Sequence, residues 1–394
     1  MATISRGIKA PIIREGDDIV SIVCDCVLSA SKEQGFTLRD RDVVAVTEAV
    51  VARAAGNYAT VDAIAEDVRR KLGGNTIGLV FPILSRNRFA ICLRGIARGA
   101  RKVVVQLGYP SDEVGNHLVD IDALDDSGID PYKDVLSVAE FRRHFGTPLH
   151  PFTGVDYISY YTQLIEEEGA EAEIILANRP EAILSYSDKV LCCDTHTRFR
   201  TQRRILAAGA DVCLTLCDIL NAPVNGSGYN EKYGLLGSNK ATEGVVKLFP
   251  NNAQEVAEAI SARLCAATGK RIEAMVYGDG AFKDPVGKIW ELADPVVSPG
   301  FTDGLNGLPN ELKLKYLADN DFGDLKGEAL KAAIEERIRE KTDESLVGNM
   351  VSEGTTPRRL TDLIGSLCDL TSGSGDKGTP IVYIQGYFDN YSND

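Results

Sequence analysis

Residues 252–285 read NAQEVAEAISARLCAATGKRIEAMVYGDGAFKDP, and the rest of the chain is organised around them. Asn252 is a helix N-cap residue with Glu255 three positions on, the spacing of a capping box. Val256, Ile260 and Leu264 recur at the helical period and mark one apolar face. Gly269 can take the left-handed conformation that closes a helix. Ile272 to Tyr277 then reads as a buried strand, running into Gly278-Asp279-Gly280. An acid between glycines at a strand end sits where a metal or a phosphate can approach the backbone. A glycine-rich turn with a solvated Asp279 has the same local pattern, and both readings stay open on these residues alone.

Towards the N-terminus, Gly16-Asp17-Asp18 precedes an amphipathic helix with Ile19, Val23 and Val27 on one face. Val43 to Val46 is a short apolar strand, followed by Thr47-Glu48 and a helix over 49–55. A strand, a polar turn and a helix present backbone N–H groups to an anion, or make an ordinary β-to-α connection. In the middle of the chain, a helix carrying Arg94, Arg98, Arg101 and Lys102 reads by default as a solvated face, with an anion site or a partner-subunit contact as the functional alternatives. The strand Lys189–Cys193 ends in Asp194-Thr195-His196-Thr197-Arg198. Polar residues at the C-terminal end of a strand mark the usual ligand edge of an open α/β sheet. There His196 has the chemistry of a general base, and Arg198 that of a carboxylate or phosphate clamp. The bland alternative is a helix N-cap at Thr195 or Thr197 followed by a basic, solvated helix.

Residues 225–250 are rich in Gly and Asn, and the Ser238-Asn239-Lys240 run reads as a functional loop, or as a flexible surface connection, rather than as packing. Near the C-terminus, Gly373, Gly375 and Lys377 lie in a small-residue segment whose backbone amides can cradle phosphate. It is not a Walker A loop, because a strand, Ile381 to Ile384, follows instead of a helix.

With 394 residues, 44% of them hydrophobic, the chain can bury a sizeable core in two or three domains. Its net charge of −14 and pI near 4.9 disfavour nucleic acid as a partner. Nine Cys, an odd number without a CxxC pair, read as reduced and largely buried thiols rather than zinc ligands. No apolar run reaches the roughly 18 residues of a membrane span, so membrane is not an expected partner and a cytoplasmic location is.

Four stretches, in order, carry a resemblance to the coenzyme F-420 gamma-glutamyl ligase family in a longer form. The first is Gly16-Asp17-Asp18 with Asp42 to Asn57, where Arg53 stands in place of a nucleotide-contacting lysine of the family. The second, Gly237-Ser238-Asn239, is similar to a loop ending in Ala-Ser-Asn. The third, Thr268-Gly269-Lys270-Arg271 through Asp279, resembles a helix–strand–Asp element whose Asp binds metal. The fourth, Leu363 to Gly386, resembles a Gly-rich loop, a Pro and a strand.

The resemblance implies a mixed α/β fold of sheets with flanking helices, a homodimer, and use of GTP (or ATP) with Mg2+ or Mn2+. The implied chemistry joins glutamate to a small-molecule carboxylate through an acyl phosphate. Residues 1–74 and 225–394 would form the ligase-like part, and residues 75–224 an insertion or second α/β domain. Thr47, Glu48, Arg53, Ser238, Asn239, Lys240, Gly373, Gly375 and Lys377 would meet the nucleotide. Asp279 would bind metal, helped by Asp194 or Asp376, and Asp279, His196 and Arg198 would serve catalysis. Two departures stand out. The family's other metal-binding Asp falls on Leu236, and the acid of its C-terminal loop falls near Ser374.

Overall fold

The structure is a computed structural model. It describes residues 2–151, 153–278, 282–283, 290–291, 298–309, 311–342, 348–352, 359–372 and 375–393. Asp279 and Gly373 therefore lie outside the described residues.

The organising stretch forms a helix, Ala253–Thr268, and a strand, Glu273–Tyr277. Gly269 closes the helix at φ 68°, in the left-handed region. The capping box is absent: Asn252 occupies the N-cap, but its side chain makes no capping bond. The residue types permit that box; the backbone at Asn252, φ −99° and ψ 23°, is not the extended conformation that usually aims the side chain back at the helix.

Numbered along the chain, the strands are β1 Ile4–Ile8, β2 Val43–Thr47, β3 Tyr58–Thr60, β4 Thr76–Val80, β5 Lys102–Leu107 and β6 Leu136–Ser137. They continue as β7 Glu171–Leu176, β8 Lys189–Cys192, β9 Val212–Thr215, β10 Asn239–Thr242, β11 Val245–Lys247 and β12 Glu273–Tyr277. Strands β13 Phe282–Lys283, β14 Trp290–Glu291, β15 Gly300–Phe301 and β16 Ile381–Gln385 complete the set. The helices used below are α1 Ile19–Gln34, α2 Glu48–Ala54, α3 Val61–Leu72, α4 Phe89–Arg98, α5 Ile121–Asp126, α6 Val138–Phe145 and α7 Tyr157–Glu167. After them come α8 Arg198–Ala207, α9 Ala253–Thr268, α10 Leu314–Tyr316, α11 Gly327–Glu340 and α12 Leu360–Ser372.

One sheet has the order β1-β16-β2-β12-β15. Its two central partners, β2 and β12, run parallel and pair Glu273 with Val43 through Tyr277 with Thr47. Side chains alternate across it, as strand geometry requires. Val44, Val46, Ala274 and Val276 pack against α1 and α9. Val43, Ala45, Met275 and Tyr277 face the opposite way, towards Ile364 and Cys368 of α12.

The second sheet has the order β6-β7-β5-β4-β8-β9, with every pair parallel except β6 to β7. Taken in chain order, its five parallel strands lie 3-2-1-4-5, a doubly wound arrangement. Ile77, Leu79, Val103, Val105, Ile174, Leu176 and Leu191 face α3, α4 and α7, while Val80, Val104, Ile175, Val190 and Cys192 face Ile183 and Ile205. Gly78 is needed there, because a Cβ would sit 2.4 Å from Ile183.

Strands β10 and β11, which join β3 in a three-stranded sheet, lie in the segment read from sequence as a polar loop. That reading is corrected: Leu235, Leu236, Val246, Leu248 and Phe249 join the same core as the doubly wound sheet. Gly237, at φ +71°, lies against Phe249, where a Cβ would be 2.0 Å from the ring. The basic helix also resolves differently. It ends at Arg98, so Arg101 and Lys102 are outside it, and Arg94 and Arg98 are ion-paired to Glu168, with Asp62 also on Arg98. Leu312, Leu317, Ile334, Ile338 and Val351 form a small separate core around α10 and α11. None of the nine Cys is in a disulfide. Among the described residues no helix is long and apolar enough to cross a membrane.

Candidate functional site

Two polar centres arise where strands end. The first is at the C-terminal end of β2. The Thr47 backbone N–H donates to the Pro380 carbonyl at 3.0 Å, so the segment entering β16 lies directly against it. Glu48 opens α2 and is 6% exposed, and the Lys247 ammonium of β11 donates to its carboxylate. Lys247 stands directly across from Asn239 in the β10–β11 pair, which brings the two side chains to one face. Tyr277, level with Thr47, is buried beside Ser372 of α12, and the chain leads on from it towards Asp279. The short helical turn 375–377 presents Asp376 and Lys377 to solvent.

Thr47, Glu48 and Asn239 are thus gathered, with Lys247 as the link. Arg53 is not with them: it is exposed in the last turn of α2, at the end away from Thr47. Lys240 has an exposed partner of its own, Glu243, at 2.5 Å. Lys247 was not among the sequence candidates. Its signal was a lysine following two valines in a short run, Val245-Val246-Lys247, flanked by apolar Leu248 and Phe249.

The second centre lies at the C-terminal ends of β4 and β8, where the strand order reverses. Asp194 is 1% exposed, and its Oδ2 accepts from the hydroxyls of Thr197 at 2.6 Å and Thr201 at 2.7 Å. Its Oδ1 has no hydrogen-bond partner among the described residues. Glu113, from the loop after β5, crosses to accept the backbone N–H groups of Thr195 and His196. Arg198 donates from Nη1 to the Thr195 carbonyl and stacks 4.5 Å from the centre of the Phe199 ring, while its Nε is buried without a partner among the described residues. His196 is exposed. Thr197 is the N-cap of α8 but makes no capping bond, since its hydroxyl is committed to Asp194.

Ser238-Asn239-Lys240 ties the first centre to the helix and loop that follow β4. Ser238 is buried with its Oγ 3.2 Å from the Cys92 sulfur of α4. The Lys240 backbone N–H donates to the Asn87 carbonyl at 2.8 Å, in the loop that leaves β4. The sequence candidates Asp194 and His196 lie on the loop after β8 and Arg198 opens α8, while the run 238–240 is tied to α4 and to the loop that leaves β4. Glu113 had no local signal, because its partners lie 82 and 83 residues away.

Burial raises the Asp194 carboxyl above its usual range, against the lowering by Thr197, Thr201 and Arg198. Burial also raises Glu113, and the Asp194 charge adds to that rise. A carboxyl raised in the folded state favours folding at low pH. Its contribution is full below the unfolded value near ~4 and is lost as pH rises through the folded value. Asp194→Asn removes that loss and can still accept from both threonines. Its melting temperature relative to wild type is expected to climb between about pH 4 and about pH 8. A difference that stays flat across that range would contradict the raised carboxyl.

A metal does not fit the described residues on their own. No group of three His, Cys, Asp or Glu gathers among them, and the ammonium of Lys247 already sits on Glu48. Leu236, where the family resemblance places an acid, is 2% exposed in the apolar core.

The fold is mixed α/β, with polar residues gathered at strand ends of its two larger sheets. A family model described as F420-0:Gamma-glutamyl ligase matches residues 7–386, and the chain belongs to that family. The match supports a gamma-glutamyl ligase type of function, one that forms a C–N bond and takes small-molecule substrates. None of the curated proteins compared with it matches the chain.

Proposed function

We propose that this chain is a nucleotide-dependent carboxylate–amine ligase that attaches glutamate to a small-molecule acceptor in the cytoplasm, working as a homodimer. The observation that carries the reading is the family match over residues 7–386, which runs through the polar edge at β2. The acceptor carboxylate attacks the terminal phosphorus of GTP or ATP, giving an acyl phosphate and the nucleoside diphosphate. The glutamate amine then attacks the acyl carbon, the amide forms, and phosphate leaves. This chemistry concentrates negative charge on an acidic protein, so local cations are required. Lys377 supplies one from this chain, while Lys247 and Lys240 are already paired with Glu48 and Glu243, and Thr47, Asn239 and Gly375 offer neutral polar groups. Asp279, outside the described residues, and Asp376 are the proposed ligands of a Mg2+ or Mn2+ ion, whose role when bound is to neutralise phosphate charge.

Asp279→Asn tests this. Nucleotide is titrated into wild type and variant, each with Mn2+ and with chelator. Metal-dependent affinity is expected to fall by about tenfold or more in the variant. Equal affinities in all four conditions would sink the assignment. A second reading, a nucleotide- or metabolite-binding protein without turnover, is favoured by Leu236, which removes one acid the chemistry uses in the family. Phosphate release that requires both glutamate and an acceptor from a carboxylate panel supports the ligase. Nucleotide binding seen as a thermal shift, with no release under any acceptor, supports the binding protein. A monomer mass by light scattering at micromolar concentration would remove the homodimer.

A further inference from the structure

We infer that the exposed face of α8 docks on the segment 120–135 of a second copy of this chain, in a head-to-tail contact between opposite ends of the six-stranded sheet. α8 buries Thr201 and Ile205, and Ile205 packs on Val190, Cys192 and Cys213 of the outer strands β8 and β9. The helical period turns Phe199, Arg203 and Leu206 to the other side, with Arg200 beside them. All four are exposed, Phe199 at 54% and Leu206 at 46%. Arg204 is ion-paired to Glu181, whereas Arg200 and Arg203 have no acidic partner among the described residues. On a chain of net charge −14, this helix carries four arginines and no acid.

A surface of that kind fits an acidic, partly apolar partner, and the chain carries one. Asp120, Asp122, Asp125, Asp126 and Asp134 are exposed in the segment that leads into β6. Lys133 is the one basic residue there, and it is ion-paired to Asp130. Among these acids stand Ile121 at 48% exposure, Tyr132 at 79% and Val135 at 45%. Each face thus holds charge of one sign around apolar or aromatic side chains, and Arg and Tyr are residue types that anchor protein interfaces.

Within one copy the two faces do not meet. β6 and β9 are the two ends of the sheet, five strand spacings or roughly 24 Å apart. That exceeds the screening length of about 8 Å in physiological salt, so neither face neutralises the other inside one molecule. A second copy brings them together. The net charge makes nucleic acid a poor rival for the arginines. Because the joined faces differ, the contact is heterologous: it closes into a ring or runs on as a chain of copies. It is separate from the homodimer proposed above and does not rest on the ligase reading.

The test is sedimentation velocity of the full chain from about 1 to about 100 µM in about 0.1 M salt. The weight-average mass of wild type is expected to rise with concentration, and the rise to be lost in about 1 M salt, where the screening length falls to about 3 Å. Arg200→Glu/Arg203→Glu and Asp125→Lys/Asp126→Lys are each expected to move the rise to at least about tenfold higher concentration. All four positions are exposed, and circular dichroism with thermal unfolding checks that the variants fold. An equimolar mixture of the two variants is expected to associate again, because each keeps the face that the other has reversed. A wild-type mass independent of concentration overturns the inference without any variant. So does a rise that neither variant shifts, or a mixture that associates no better than its components. The two contacts fail separately. A constant dimer mass in wild type and both variants removes this contact and leaves the homodimer. Growth from a monomer that both variants suppress does the reverse.

Discussion

Leu236→Asp is expected to destabilise the protein by about 4 kcal/mol or more and to create no metal site. The substitution restores the acid that the family resemblance places here, so a functional reading predicts a gain. Packing predicts the opposite. Leu236 is 2% exposed and belongs to the core that includes Leu235, Leu248 and Phe249. Its neighbour Gly237 is fixed at φ +71° against the Phe249 ring, so the segment has little room to turn a new side chain outward. Replacing a buried leucine loses apolar burial, and a carboxylate in its place either stays charged without a partner or takes up a proton. Both routes cost stability, and the loss is expected to shrink at low pH, where the acid is neutral. Thermal unfolding at about pH 7 and about pH 5 reads this directly. Wild-type stability together with a new Mn2+-dependent rise in melting temperature would show that residue 236 can reach a metal, against the packing described here.

The sequence carried the elements better than their partners. Val43–Val46 and Ile272–Tyr277 read as buried strands because a strand covered on both faces is apolar almost throughout. Nothing local shows that they pair in parallel, since the partners are more than two hundred residues apart and register is set by packing. The long helix was legible from its period and from Gly269, while the capping box was a pattern of residue types without the backbone geometry. The hairpin β10–β11 was hidden because Asn239, Lys240 and Thr242 are polar, and because its apolar contribution comes from scattered Leu235, Leu236, Val246 and Phe249. At the sites, Asp194, His196 and Arg198 announced themselves as a polar run after a strand. Glu113 and Lys247 did not, because each acts on a residue far away in the chain. A strand order of 3-2-1-4-5 is likewise a property of assembly, and the place of the second centre follows from it.

Lys247→Met is expected to cost about 3 kcal/mol, several times the value of a surface ion pair. The Lys247 side chain is 12% exposed and that of Glu48 8%, so both charges are withdrawn from water. Burying two ions is expensive, and the pair contributes little against an apolar pair of the same shape. Removing only the cation is different: it leaves the Glu48 carboxylate at the start of α2 without its ammonium. The pair also spans two cores. Glu48 opens the helix whose Val51 and Ala54 pack on the five-stranded sheet, and Lys247 lies between Val246 and Leu248 of the other core. Its loss should loosen Asn239, which faces Lys247 across β10–β11, and weaken the proposed binding of nucleotide at that edge. The control is Glu48→Gln/Lys247→Met. With the charge gone, the double variant is expected to recover at least about 1 kcal/mol over the sum of the single changes. Urea unfolding of wild type, both single variants and the double variant measures that coupling. If Lys247→Met costs less than about 0.5 kcal/mol, the pair behaves as a solvated surface contact and is not the link between the two sheets.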